Sequence, residues 1–154
     1  MTRIPNRLLT KNFSLHEMLI SPVAVRKGIE AQFNPSPEIV HNIEQLCIHI
    51  LQPLRDAIGR SIMVNSGYRV TELNKLIGGS AKSQHTLGLA ADIEDMVGGN
   101  QLLFEKIIAM NLPFDQLINE FDFAWVHVSF DPSKNRKQIL RAVRENGKTV
   151  HKLY

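Results

Sequence analysis

The sequence has one cysteine, Cys47, among its 154 residues. A single cysteine cannot form an intramolecular disulfide or a thiolate metal cluster, so any metal bound here must use histidine and carboxylate ligands. Cys47 stands between Leu46 and Ile48 in an apolar run, which is typical of a buried, unreactive thiol. The chain is long enough to bury a core without covalent cross-links.

Long apolar runs are also missing. No stretch approaches the roughly 20 apolar residues of a membrane-spanning helix, and no apolar segment follows the basic residues of positions 1–7, as it would in a signal peptide. We therefore expect a protein that is made in the cytoplasm and needs another agent to reach any substrate outside. Its 44% hydrophobic and 21% charged residues suit a single globular domain spanning 1–154.

Acidic residues are scarce at the C-terminal end. Between Pro132 and Tyr154 only Glu145 is acidic, whereas the basic residues are Lys134, Arg136, Lys137, Arg141, Arg144, Lys148 and Lys152. This basic segment is interpreted as a solvated polar face or, alternatively, as a surface that attracts an anionic wall polymer. Nucleic-acid binding is disfavoured, because no aromatic residue other than Tyr154 is available there to stack on bases.

The first half of the chain carries helix signals. Ser14 and Glu17 have the spacing of a capping box, which predicts a short helix after Ser14. Ser36, followed by proline, predicts the start of the longest helix, and Gly59 is its expected C-terminal cap. Pro53 lies inside this helix and is expected to kink it, because proline has no backbone donor and its ring clashes with the preceding turn.

The second half carries mostly strand signals. Alternation and turn residues predict strands over 61–65, 87–94, 116–118, 125–129, 139–144 and 149–153, with helices near 73–77 and over 100–110. Asn146-Gly147 predicts a tight hairpin turn between the last two strands. Helices followed by largely antiparallel strands indicate an α+β domain rather than a repeating βαβ chain.

Three residues have the chemistry and the setting of metal ligands. His85 lies in a polar loop, Asp92 follows it seven positions later in a predicted strand, and His127 lies in an apolar strand. A divalent cation would satisfy all three, since an unpaired carboxylate at strand depth is costly. The other histidines are expected at the surface or in structural roles: His16, His41, His49 and His151.

Two histidines and one carboxylate leave zinc a fourth position for water, which is typical of a catalytic site. The metal lowers the pKa of that water, and a carboxylate base must then accept its proton. Two acidic residues shortly before His127 are candidates for this base, Glu120 and Asp122. Cobalt and nickel also suit such ligands, so spacing alone does not select zinc.

Larger motifs surround these residues: Ser66-Gly67-Tyr68-Arg69, Ser83-x-His85-x-x-Gly88-x-Ala90-x-Asp92, Phe114-Asp115-Gln116-Leu117-Ile118-x-Glu120 and Trp125-Val126-His127-Val128-Ser129. Together they resemble the D-alanyl-D-alanine carboxypeptidase family of zinc peptidases, and most of all its short phage endolysin members. The resemblance covers roughly residues 13–140 and leaves a basic C-terminal hairpin over about 139–154. It implies the fold shared with the hedgehog signalling domain, in which an antiparallel sheet carries a zinc cleft and N-terminal helices pack on the sheet.

The resemblance also implies roles for individual residues. His85, Asp92 and His127 would bind one zinc ion. Arg69 would hold a substrate carboxylate, a task that suits the planar guanidinium group. Ser83 would bind the substrate backbone or shape the metal-binding loop.

The catalytic base and the aromatic residues are less constrained by the motifs. Glu120 is the favoured base because the Gln-Leu-Ile-x-Glu segment matches, and Asp122 is the alternative. In the dipeptidase branch the base lies three residues before the last histidine, but here Ala124 occupies that position and cannot act. Tyr68 and Trp125 are interpreted either as core aromatics or as walls of the substrate site.

These expectations predict a zinc metallopeptidase that cuts an amide bond in bacterial peptidoglycan peptides. We expect a phage or prophage endolysin, or a virion-associated enzyme, that reaches the cell wall after phage-mediated release. The alternatives are a D,D-carboxypeptidase or dipeptidase, and a non-catalytic zinc-containing module that binds the wall or builds the virion.

Overall fold

The computed structural model describes residues 2–154. Its helices are α1 (Leu15–Leu19), α2 (Pro22–Lys27), α3 (Pro37–Leu46), α4 (Gln52–Ile58), α5 (Thr71–Leu76) and α6 (Asn100–Ala109). Its strands are β1 (Met63–Ser66), β2 (Ala90–Glu94), β3 (Gln116–Glu120), β4 (Trp125–Ser129), β5 (Gln138–Glu145) and β6 (Lys148–Leu153). This arrangement confirms the predicted α+β class. No helix within residues 2–154 is long and apolar enough to cross a membrane.

The helix ends follow the predicted capping residues. The Ser14 hydroxyl accepts a hydrogen bond from the Glu17 amide, and the Glu17 carboxylate accepts one from the Ser14 amide, so the capping box is confirmed. The Ser36 hydroxyl caps α3. Gly59 ends α4 with φ +75°, a left-handed conformation that glycine adopts without strain.

The long helix contains a π-helical turn just before Pro53, where the sequence predicted a kink. A π-helical turn over Cys47–Leu51 joins α3 to α4, so the helix continues past the proline with one wider turn before it. The wide turn places Cys47 wholly inside the core. Burial raises the pKa of its thiol to about 12, which agrees with the prediction of an unreactive cysteine.

The six strands form one sheet in the order β1-β2-β4-β3-β5-β6. All neighbouring strands are antiparallel except β3 and β5, which are parallel. The predicted hairpin between β5 and β6 is confirmed, and Asn146 and Gly147 have the positive φ values of 52° and 75° that its tight turn requires.

The predicted strand over 87–94 is wrong at its start. Residues Gln84–Leu87 form a 3₁₀ turn, and β2 begins only at Ala90. The Ser83 hydroxyl accepts a hydrogen bond from the His85 amide and opens this turn, which Gly88 ends with φ +72°. The first predicted strand is likewise displaced, from 61–65 to β1.

The two faces of the sheet have different partners. One face packs on the helices and contributes to the main core through Ala91, Ile93, Leu117, Val126 and Val128. The opposite face carries a separate apolar cluster of Ile118, Leu140 and Ala142. Because side chains alternate along each strand, this second face also presents strand residues that line a cavity of about 730 Å³.

Candidate metal centre

The three predicted metal ligands come from three segments and meet on the second face of the sheet. Asp92 on β2 pairs directly with His127 on β4, so both side chains project from the same face. His85 reaches them from the 3₁₀ turn that precedes β2. All three are buried or half-buried, and one donor atom from each lies within 4.8 Å of the others.

The distances between the donor atoms suit a small divalent cation. Oδ1 of Asp92 lies 3.3 Å from Nε2 of His85 and 3.1 Å from Nδ1 of His127. Ligand bonds of about 2.0 Å in a tetrahedral zinc site place neighbouring ligand atoms about 3.3 Å apart. The donor set of two imidazoles and one carboxylate therefore fits zinc in both chemistry and spacing.

The orientation of His85 leaves one ring nitrogen available. Its Nδ1 lies 2.7 Å from the carbonyl oxygen of Gly67, and because a carbonyl only accepts, Nδ1 must carry the hydrogen. In the neutral imidazole, Nε2 is then the nitrogen without a hydrogen. It is buried and has no hydrogen-bond partner among residues 2–154, so a metal ion would satisfy it.

Arg69 and Asp92 form an ion pair in this centre, and each affects the protonation of its surroundings. Burial works to raise the pKa of the Asp92 carboxyl, but His85 and His127 hold it below its ordinary value. Arg69 Nη2 lies 3.4 Å from Asp92 Oδ2. Burial lowers the pKa of Arg69, and the charge of Asp92 opposes that effect. The carboxylate is therefore ionised, as a metal ligand must be.

Two further contacts hold the Arg69 guanidinium in place. Its Nε donates to the Ser66 hydroxyl at 2.9 Å, and its Nη1 donates to the Asn74 side-chain oxygen at 3.0 Å. A guanidinium has five N–H donors, so donors remain for a bound anion after these contacts and the one to Asp92.

A cavity of about 730 Å³ opens over the metal centre. Three residues predicted to bind substrate line it, namely Arg69, Ser83 and Trp125. Its other lining residues are Ser80, Lys82, Gln84, His85, Asp92, Gln116, Ile118, Glu120, His127, Arg136, Gln138, Leu140, His151 and Leu153.

Glu120 is the candidate base that lies in this cavity. It ends β3, pairs with Trp125 on β4, and is 9% exposed. Burial raises the pKa of its carboxyl to about 7, and the charge of Asp92 adds to the rise while His127 and Arg69 oppose it. A carboxyl group poised near neutral pH can both accept and release a proton.

Asp122 lies outside the metal cavity. Phe121, Asp122 and Phe123 all have left-handed φ values, between 49° and 61°, so the chain leaves the strand direction directly after Glu120. Asp122 lines a second cavity of about 360 Å³ with Asn119 and Arg141, which alternate with the residues of the metal face. The structure therefore brings Glu120, and not Asp122, beside the metal ligands.

Tyr68 also lies apart from the metal cavity. It is 8% exposed and lines a small cavity of about 170 Å³ with Ile20 and Leu73. Burial raises the pKa of its phenol group. Of the two interpretations of Tyr68, this position matches the core aromatic, whereas Trp125 is on the cavity wall.

Sequence reasoning missed several cavity residues. His151 is exposed, as expected, but it also lines the metal cavity from β6 together with Leu153. Burial and the nearby charge of His127 lower the pKa of His151. Alternation in 149–153 indicates that His151 and Leu153 share a face, but the pairing of β5 with β3 decides which face that is.

A comparison with protein families bears on these residues. A family model described as Peptidase M15 matches residues 11–129, which is most of the chain. The match includes Arg69, Ser83, Glu120 and the three candidate ligands, and it ends with β4, before the hairpin of β5 and β6. A comparison with curated proteins gives no match.

Proposed function

The chain belongs to the peptidase M15 family of zinc peptidases, and on that premise we propose that it hydrolyses an amide bond in the peptides of bacterial peptidoglycan. The observation that carries this proposal is the convergence of His85, Asp92 and His127 in a cavity that also contains Glu120 and Arg69. A metal-ligand set, a carboxylate base and an anion-binding cation are the parts that metal-dependent peptide hydrolysis requires.

The candidate ligands would hold one zinc ion through Nε2 of His85, a carboxylate oxygen of Asp92 and a ring nitrogen of His127. When bound, zinc polarises the scissile carbonyl group and lowers the pKa of a coordinated water. The hydrogen bond from His85 Nδ1 to Gly67 keeps that ligand in the required tautomer.

Glu120 moves the proton in this proposal. Its carboxylate accepts a proton from the attacking water as the oxygen bonds to the scissile carbonyl carbon. The same group then gives the proton to the leaving nitrogen as the C–N bond breaks. The position of Glu120 in the metal cavity and its pKa near 7 support this double role.

Arg69 orients the substrate. Its guanidinium is fixed by Ser66, Asn74 and Asp92, and its remaining N–H groups can bind a carboxylate of the substrate. A D,D-carboxypeptidase is the second candidate function, because such an enzyme recognises the terminal carboxylate of its substrate next to the scissile bond.

The biological setting that we propose is a phage or prophage endolysin, or a virion-associated enzyme, that acts on the cell wall after phage-mediated release. The resemblance to short phage-type members supports it. The exposed basic residues of the β5–β6 hairpin, among them Arg141 and Lys148, add an attraction to anionic wall polymers.

The test is mass spectrometry of purified peptidoglycan digested by the zinc-loaded protein, with and without a chelator. We expect new peptide fragments only without the chelator, and their masses identify the bond. Protein shown to carry zinc that binds the wall but releases no fragments would contradict the enzyme and favour the non-catalytic wall-binding module.

A further inference from the structure

We propose that the C-terminal hairpin of β5 and β6 extends the metal cavity into a track that binds roughly four residues of a peptide on one side of the scissile bond, at about 3.3 Å per extended residue. This inference rests on the proposed function and deepens it, because it defines the substrate as an extended peptide rather than a dipeptide.

A continuous row of paired residues leads away from the metal ligands. His127 on β4 pairs with Ile118 on β3, Ile118 pairs with Leu140 on β5, and Leu140 pairs with Leu153 on β6. Directly paired residues share a face, so the three apolar side chains form a floor beside His127. Three steps of about 4.8 Å between strands make the row from His127 to Leu153 about 14 Å long.

Polar side chains border the floor on both sides. On one side the amides of Gln116 and Gln138 are joined by a hydrogen bond of 2.7 Å and retain further donors and acceptors for a peptide backbone. On the other side stands the row of Glu120, Ala142 and His151. Ala142, which is fully buried, separates the carboxylate of Glu120 from the imidazole of His151 in this row.

The apolar floor is open mainly at its outer end, because Ile118 and Leu140 are only 5% and 8% exposed and Phe121 packs against their cluster. Ile118 and Leu140 are packed in a cluster that is separate from the main core, because all the helices that form that core lie against the other face. Leu153 at the outer end is 76% exposed. An apolar row continuous with a metal centre is the usual setting of a substrate site.

The positive charges at the border favour a peptide that carries carboxylates. Lys82 and Arg136 line the cavity in addition to Arg69. Nε and Nη2 of Arg136 bind Asp115, and its Nη1 makes no hydrogen bond within residues 2–154. Wall peptides have this chemistry, because they combine alanine residues with free carboxylates.

The outer part of the track lies beyond the region that the family model matches. The family match ends at residue 129, whereas four lining residues of the cavity lie on the later hairpin: Gln138, Leu140, His151 and Leu153. The hairpin is therefore placed to determine which peptides the common metal centre receives.

The binding test uses nuclear magnetic resonance on the zinc-loaded protein with Glu120→Gln, so that turnover does not consume the peptide. The two probes are D-Ala-D-Ala and the tetrapeptide stem released from purified peptidoglycan. We expect the tetrapeptide to shift the amide signals of Leu140, His151 and Leu153 and to bind about tenfold more tightly than the dipeptide, because each buried residue adds apolar contact.

A variant at the exposed end of the track provides the second readout. Leu153→Ala should weaken tetrapeptide binding about fivefold and leave dipeptide binding unchanged, because only the longer peptide reaches that side chain. Leu8→Ala is the matched control, since Leu8 is 66% exposed and is not part of the cavity.

Two outcomes would overturn the track: equal affinity for both peptides, or tetrapeptide-induced shifts confined to the metal centre. A different result would contradict the proposed function, namely that the zinc-loaded wild-type protein releases no fragment from peptidoglycan. In that case hairpin shifts with the tetrapeptide would still establish the track as a binding site.

Discussion

Nδ1 of His85 lies 2.7 Å from the carbonyl oxygen of Gly67, 18 positions earlier in the chain. Gly67 directly follows β1, and a Cβ atom at this position would stand 2.4 Å from the carbonyl oxygen of Met18 on α1. The glycine therefore lets the turn approach α1 closely enough to present its carbonyl group to the metal ligand.

Gly67→Ala should weaken zinc binding without removing a ligand. The added methyl group forces the turn away from α1 and displaces the acceptor of His85, and loss of such a partner costs about 10–100-fold in metal affinity. The measurement is competitive titration of zinc against a chelating dye. Gly78→Ala is the control for backbone strain without a clash, because Gly78, unlike Gly67, has a positive φ of +79° but nothing within 4 Å of an added Cβ atom. Equal zinc affinity in the two variants would contradict the role of the Gly67 carbonyl.

His85→Ala should abolish stoichiometric zinc binding, since two of three protein ligands do not form a stable site. Elemental analysis of protein dialysed against micromolar zinc measures the loss. His41→Ala is a suitable control because His41 is exposed on α3. Unchanged metal content in His85→Ala would remove this residue from the ligand set.

Glu120→Gln should retain zinc and lower kcat by roughly 10²–10⁴-fold, because the amide cannot accept a proton from the attacking water. Asp122→Asn is the matched change on the other side of the sheet, and it should leave kcat within about twofold because the carboxylate does not face the cavity. The reverse pattern, an active Glu120→Gln and an inactive Asp122→Asn, would assign the base to Asp122.

Because of Asp115, the free energy of unfolding should fall as the pH becomes acidic. Its carboxylate accepts hydrogen bonds from the backbone and guanidinium group of Arg136 and from the amide of Gln84. The Arg136 side chain is the main reason that the pKa of Asp115 falls to about 2, against the effect of burial.

A carboxyl group whose pKa is lower in the folded than in the unfolded protein stabilises the fold above its unfolded pKa of about 3.9. We therefore expect Asp115→Asn to lower the free energy of unfolding by about 2 kcal/mol at pH 6. The difference from wild type should shrink as the pH falls from about 4 to about 2, because the wild-type carboxylate then takes up its proton. Urea denaturation at several pH values measures it. A difference that stays constant over this range would contradict the ionic role of Asp115.

The candidate metal ligands could be proposed from the sequence because their evidence is local or comes from motifs. His85 and Asp92 are seven positions apart, and His127 shares one face of its strand with Trp125 and Ser129. The register of β2 and β4 then places Asp92 opposite His127, which no local pattern specifies.

The proposed base and the proposed substrate track could be identified only from the tertiary structure. If β3 continued beyond Glu120, alternation would place Asp122 on the same face, but the left-handed turn at Phe121 directs it elsewhere. His151 reached the cavity for a similarly nonlocal reason. The parallel pairing of β5 with β3 brings the hairpin beside the metal centre, although their residues are far apart in the chain.

By itself, therefore, the sequence determined the α+β class, the helix caps, the hairpin turn at Asn146 and the chemical types of the metal ligands. These features depend on backbone preferences and on the period of apolar residues over a few positions. The tertiary structure alone decided which carboxylate faces the metal ligands and which strands line the cavity. Strand order and the direction of a turn arise from packing between distant segments, and that packing leaves no pattern within any one of them.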